Sequence, residues 1–171
     1  MNKKFTIIIL TFLSVLILFG CNEKKAYEST LNLTKALKEV ERLTYEKNDK
    51  NIPIFYNMTS ASDKEISKIY KLDKNDFDEL IIKQSALYSK SNLLIMAKVK
   101  ADKKELVKKQ LDNYMLEYEK IWKKQNQKEY NLVVNRSFYE NNTYMVYVIS
   151  YDNNKVIDTI TSLFEEKEIK K

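Results

Sequence analysis

Apolar residues recur along this chain at three different spacings, and each predicts a different kind of segment. From Asp102 to about Gln125, Val107, Leu111, Tyr114, Tyr118 and Ile121 step by four and three, with Trp122 alongside. That is the stripe of an amphipathic helix, for which Asp102 is the expected cap. Ala26 to about Lys47 reads the same way: Leu33, Leu37, Val40 and Thr44 form the stripe, while Lys35, Lys38, Glu39, Glu41 and Arg42 lie elsewhere on the cylinder. Asn48 to Ser62 is a break holding the only proline, Pro53, and its Ile54, Phe55, Tyr56 and Met58 are expected to fold back onto the core. Ser62 or Asp63 can cap a short helix to about Tyr70. Asp152 and Asn153 start a last helix with Val156, Ile160, Leu163 and Phe164 on one face, and the charged tail after it is expected to be solvated.

The second spacing is alternation. Glu79 to Tyr88 and Leu93 to Lys100 read as two strands joined across Ser89-Lys90-Ser91-Asn92, and Leu132 to Tyr139 and Thr143 to Ser150 as two more across Glu140-Asn141-Asn142. The expected fold is therefore α+β. It has a single antiparallel sheet of about four strands in an α-ββ-α-ββ-α order, with helices packed on it. Residues 26–171 make one domain, with an N-terminal helix over 26–47 and a loop over 48–62. The strand from Tyr144 to Ile149 is apolar on both faces, so either helices cover both or a partner covers one.

The third pattern is a continuous run. Phe5 to Phe19 is interrupted only by Thr6, Thr11 and Ser14, and it follows Lys3 and Lys4. A charged start and a short apolar stretch make a secretory signal, because a membrane span needs roughly 17–25 apolar residues. The run ends at Leu18-Phe19-Gly20-Cys21, which resembles the bacterial lipobox: Leu three before the cut, small Gly20 one before it, then a cysteine thiol that takes a diacylglyceryl group. Phe19 is bulkier than that pattern usually carries. The expected organisation is a signal over 1–20, a lipidated tether over 21–25, and a mature chain held by Cys21 on the outer face of the cell membrane. Two acyl chains anchor stably where one does not.

Composition narrows the chemistry. The chain carries +6, and removing Lys3 and Lys4 from 30 basic residues against 24 acidic ones leaves +4. This mild balance lacks the concentrated basic stripe of a nucleic-acid binder. The only glycine and the only cysteine are Gly20 and Cys21, and there is no histidine. Glycine-rich phosphate loops, histidine-based triads and the usual zinc motifs are thereby excluded from the mature chain, and no cofactor or metal is expected. The acidic run Asp73 to Glu79 fails as a calcium loop, since Phe77 takes a ligand position and Gln84 stands where the bidentate Glu belongs. Turn and cap chemistry is the plainer reading.

The run from Ile69 to Lys100, the long helix and the stretch from Val133 to Ser150 resemble an uncharacterised family of small lipoproteins of Gram-positive bacteria, a domain of unknown function. The likeness covers about Tyr70 to Ile160 and implies fold and location but no activity. In that family the last hairpin commonly turns on glycine, where Asn141-Asn142 stands here. The expected role is a membrane-anchored extracytoplasmic domain that binds an envelope protein partner and catalyses nothing. The alternative is a cleft lined by tyrosines for peptide or glycan, and a histidine-free hydrolase using carboxylates comes last. The candidate binding surface is Tyr139, Tyr144, Tyr147 and Tyr151, on or beside the last hairpin.

Overall fold

The computed structural model describes residues 27–168. The chain runs β1 (Tyr27–Thr30), α1 (Leu33–Val40), β2 (Thr44–Lys47), β3 (Lys50–Pro53), β4 (Met58–Ser60), α2 (Asp63–Lys68), β5 (Phe77–Ser85), β6 (Leu93–Val99), α3 (Lys104–Gln125), α4 (Gln127–Val134), β7 (Ser137–Asn141), β8 (Tyr144–Ile149), α5 (Asn153–Thr161) and β9 (Glu165–Glu168). Leu18, Gly20 and Cys21 lie outside the described residues. Among those described, no helix is long and apolar enough to cross a membrane.

The class is α+β, but the single four-stranded sheet is not what forms. Three sheets are present among the described residues: five strands in the order β4-β5-β6-β8-β7, and two separate pairs, β1-β9 and β2-β3. The five-stranded sheet is antiparallel throughout. Its central strands are buried on both faces, and helices cover both. Leu93, Ile95, Ala97, Val99, Met145, Tyr147 and Ile149 pack under Val107, Leu111, Met115 and Trp122 of α3 and Val133 of α4. Leu94, Met96, Tyr144, Val146 and Val148 pack under Leu33, Ala36 and Val40 of α1 and Val156 and Ile160 of α5. The period-2 alternation of β6 and β8 thus feeds two cores, one on each side of the sheet.

β4, inside the expected loop, pairs with β5 and adds the fifth strand, and three further local departures separate the structure from that reading. The helix read over 26–47 shrinks to Leu33–Val40. Asn32 caps it, its Oδ1 accepting from Lys35 N at 2.8 Å, and it closes with Arg42 N donating to Glu39 O at 3.2 Å. Thr44 and Tyr45 then suit a strand better than a fourth helical turn. Asn48 and Asp49 take φ 52° and 58°, the two positive values of a type I′ turn, so β2 and β3 form a hairpin where a loop was expected. The strand read from Leu132 begins only at Ser137. Asn126 accepts from Lys128 N (2.9 Å) and Glu129 N (3.2 Å) and starts α4, which carries the ambiguous run Leu132-Val133-Val134 as helix. The cap of the long helix also moves, from Asp102 to Lys103, with no side-chain bond. Asn142 alone of the β7–β8 turn is left-handed, at φ 53°.

At α2, Ser62 forms a capping box. Its Oγ accepts from Glu65 N at 3.3 Å and the Glu65 carboxylate accepts from Ser62 N at 2.7 Å. Ser62→Ala is expected to lower the unfolding free energy by about 1 kcal/mol in a urea titration. An unchanged midpoint would show that the box contributes nothing.

Candidate functional site

A convergence of buried and part-buried polar groups lies where β6 begins and β8 ends. Leu93 pairs with Ile149 there. The connection from β5 into β6 carries Lys90 and Ser91, and α4 presents Glu129, only 1% exposed. Glu129 Oε2 accepts from Ser91 N and from Ser91 Oγ, both at 2.9 Å. Its Oε1 accepts from Lys90 Nζ at 3.0 Å. Lys90 Nζ also donates to Tyr151 Oη at 3.1 Å, and Tyr118 Oη donates to Ser91 O at 3.3 Å. The carboxylate therefore ties three segments distant in sequence into one unit.

This unit floors a hollow of about 210 Å³ walled by Tyr45, Lys47, Tyr56, Lys90, Lys128 and Tyr151 among others. Strand alternation sets the wall. Tyr45 and Lys47 point to one side of β2, with Ile52 opposite Tyr45 on β3. Tyr45 stacks on Tyr151 at 5.0 Å and 22°. Two further bonds fix the frame: Lys155 Nζ donates to Thr44 O at 2.7 Å, and Asn92 Nδ2 to Ile54 O at 3.5 Å. Tyr56 is 68% exposed at the rim, and Leu87, which also lines the hollow, is 39% exposed.

The protonation states are fixed. Burial alone would push Glu129 up, but the Ser91 N–H, the Lys90 ammonium and the Ser91 hydroxyl together hold it below the ordinary carboxylate range. The hydrogen bonds to Tyr151 and then to Glu129 hold Lys90 above the ordinary lysine range. Burial, with Tyr151 adding to it, pushes the Tyr45 phenol up. The unit thus presents a hydrogen-bonded carboxylate, an ammonium held charged and aromatic faces.

The four tyrosines read from the sequence do not gather. Tyr144 and Tyr147 are each 2% exposed and lie on opposite faces of β8. Tyr144 meets Phe164 edge-on at 5.3 Å, and half-buried Tyr139 lies against the same ring at 5.9 Å. Tyr147 donates to Asp112 at 2.7 Å beneath α3. Tyr151 alone of the four lines the hollow. Sequence reasoning missed Tyr45, Tyr56, Lys90 and Glu129. The one available signal was Glu129 falling four residues before Val133 on the buried face of a helix, an unpaired acid where an apolar residue belongs.

The acidic run near β5 is dispersed. Asp73 caps a single turn by accepting from Asn75 N at 2.9 Å, buried Asp76 lies 3.8 Å from Lys103 Nζ, and Asp78 is exposed. Among the described residues no three metal-ligating side chains cluster. A second hollow, of about 300 Å³, opens beside Tyr70 and Tyr114. Its wall begins an aromatic ladder, Tyr70–Tyr114–Tyr118–Trp122, with centroids 4.6, 5.5 and 6.0 Å apart. This hollow is largely apolar, and polar groups do not converge on it as they do around Glu129.

Residues 53–150 match the family model described as a domain of unknown function, DUF4358. No curated protein and no solved structure matches the chain. The matched span holds Tyr56, Lys90, Ser91, Lys128 and Glu129, whereas Tyr45, Lys47 and Tyr151 fall outside it.

Proposed function

The chain belongs to the DUF4358 family, a domain of unknown function, and from the hollow above Glu129 we propose that it is a lipid-anchored extracytoplasmic binding protein rather than an enzyme. In this reading Cys21 carries the lipid, the protein sits on the outer face of a Gram-positive cell membrane, and the ligand occupies the hollow at Tyr45, Tyr56 and Tyr151. The observation that carries it is the fixed charge of the site: a satisfied carboxylate, a permanent cation and aromatic walls bind, but offer no general base near neutral pH. This favours the cleft for peptide or glycan over a flat protein-binding face, since the sheet's two apolar faces are occupied by helices.

The test is made in cells. Wild-type protein is expected in the membrane fraction, and Cys21→Ser is expected to accumulate as uncleaved or mislocalised precursor. A photo-reactive residue at Tyr56 is expected to give adducts that the same residue at exposed Leu116 does not. Soluble wild-type protein beginning after residue 21 would overturn the anchor, and equal adducts at both positions would overturn the site.

A further inference from the structure

We propose that the ligand of this hollow is an acidic glycan, one ring lying on Tyr56 and its carboxylate held by Lys47 and Lys128. The proposal rests on the binding reading above and adds the class of ligand.

The charge around the hollow is one-sided. Lys47, Lys90 and Lys128 all line it, and none of its lining residues is acidic. Lys90 is neutralised from behind by Glu129 at 3.0 Å. Lys47 and Lys128 have no carboxylate within salt-bridge distance among the described residues. Two uncompensated ammoniums at one mouth raise the local concentration of anions and set the sign of the ligand.

The rest of the wall fits a hydroxyl-bearing ring. Tyr56 offers an open aromatic face. Buried Asn92 spends its Nδ2 on Ile54 O, leaving Oδ1 as an acceptor without a partner among the described residues. The phenols and ammoniums are donors, so a ligand rich in hydroxyls meets both senses of hydrogen bond. At about 210 Å³ the hollow is smaller than sites that engulf a whole drug-sized molecule. It suits one unit of a chain that continues past the rim, where Tyr56 and Leu87 stand exposed.

Headgroups of the protein's own membrane are also acidic, but the open aromatic face of Tyr56 and the acceptor left on Asn92 suit a hydroxyl-bearing ring, and phosphatidylglycerol vesicles are the arm of the test that separates the two sources.

Full-length protein in detergent is titrated with galacturonic acid tetramer, neutral galactose tetramer, a glycerol-phosphate oligomer, a glutamate-rich peptide and phosphatidylglycerol vesicles. Amide shifts of residues 45–56, 86–92 and 128 are followed. The galacturonate is expected to bind there at least about tenfold more tightly than the neutral tetramer, about 1.4 kcal/mol, and to weaken with salt. The glycerol-phosphate oligomer, which is acidic but has no sugar ring, is expected to bind more weakly than the galacturonate. Lys47→Glu and Lys128→Glu are each expected to weaken binding about tenfold without changing the melting temperature, since both side chains are exposed. Equal binding of the neutral tetramer, shifts elsewhere, tighter binding of the glycerol-phosphate oligomer, the peptide or the vesicles, or no binding of the galacturonate overturns the proposal. If Tyr56 still forms specific adducts in cells, the ligand class is wrong and the binding reading stands. If it does not, both fall.

Discussion

Glu129→Ala lowers the unfolding free energy by about 3 kcal/mol. The carboxylate is 1% exposed and accepts from Ser91 N, Ser91 Oγ and Lys90 Nζ. Truncation leaves a buried backbone donor unpaired, which alone costs about 1–3 kcal/mol. Breaking a buried pair costs roughly 3–5 kcal/mol in general, and the low end applies because the Lys90 side chain is 37% exposed and regains water. The pH dependence has a definite sign. The folded pKa of Glu129 lies below the reference value of 4.5, so its contribution is complete above that value and is lost as pH falls through the lower, folded one. Wild type should therefore lose stability below about pH 4.5, and Glu129→Ala should lose correspondingly less over the same window. Denaturant titrations at a series of pH values measure both. An alanine variant within about 0.5 kcal/mol of wild type, or one with an unchanged acid limb, would show that this network does not hold the hollow together.

What was legible in the sequence had a long period or a strong local device. The stripe from Val107 to Trp122 produced α3, and Ser62 with Glu65 produced the start of α2. The alternation of β6 and β8 was legible as strand, and its apolarity on both faces required a cover on each side, which α1 and α5 and then α3 and α4 supply. What failed did so where tertiary context decided among equal local options. Leu132-Val133-Val134 fits helix or strand by periodicity, and the Asn126 cap settled it. Thr44-Tyr45 continued a helical stripe by count but not by propensity, and Asn48-Asp49 supplied a turn that needs no glycine. The site was less legible still. Lys90 and Ser91 looked like residues of a hairpin turn, and nothing local says that the turn folds over α4 to meet Glu129, 38 residues further along the chain from Ser91. The hollow depends on a long-range carboxylate contact and a stacked pair, Tyr45 on Tyr151, that no spacing encodes.

Tyr144→Ala costs about 3–5 kcal/mol, the range for deleting a large buried ring, while sparing the ligand affinity of the folded fraction. Tyr144 is 2% exposed in the core beneath α1 and α5, edge-on to Phe164 at 5.3 Å and 88°. Removing the ring opens a void between a central strand and the Phe164 segment, and close-packed surroundings relax only in part. Its phenol makes no hydrogen bond among the described residues, so Tyr144→Phe should stay within about 0.5 kcal/mol of wild type. Tyr147 behaves in the opposite way. Its ring is equally buried, but its hydroxyl donates to Asp112 at 2.7 Å, and burial followed by that contact pushes its pKa well above the ordinary phenol range. Tyr147→Phe should therefore cost about 1.5–3 kcal/mol, as expected for a hydrogen bond to a carboxylate. Thermal and denaturant unfolding of the three variants separate ring from hydroxyl. The same proteins titrated with the acidic oligomer should show affinities equal to wild type, because both rings lie inside the two cores rather than in the hollow. A fall in affinity for Tyr144→Phe, with stability unchanged, would move the binding surface back to the last hairpin.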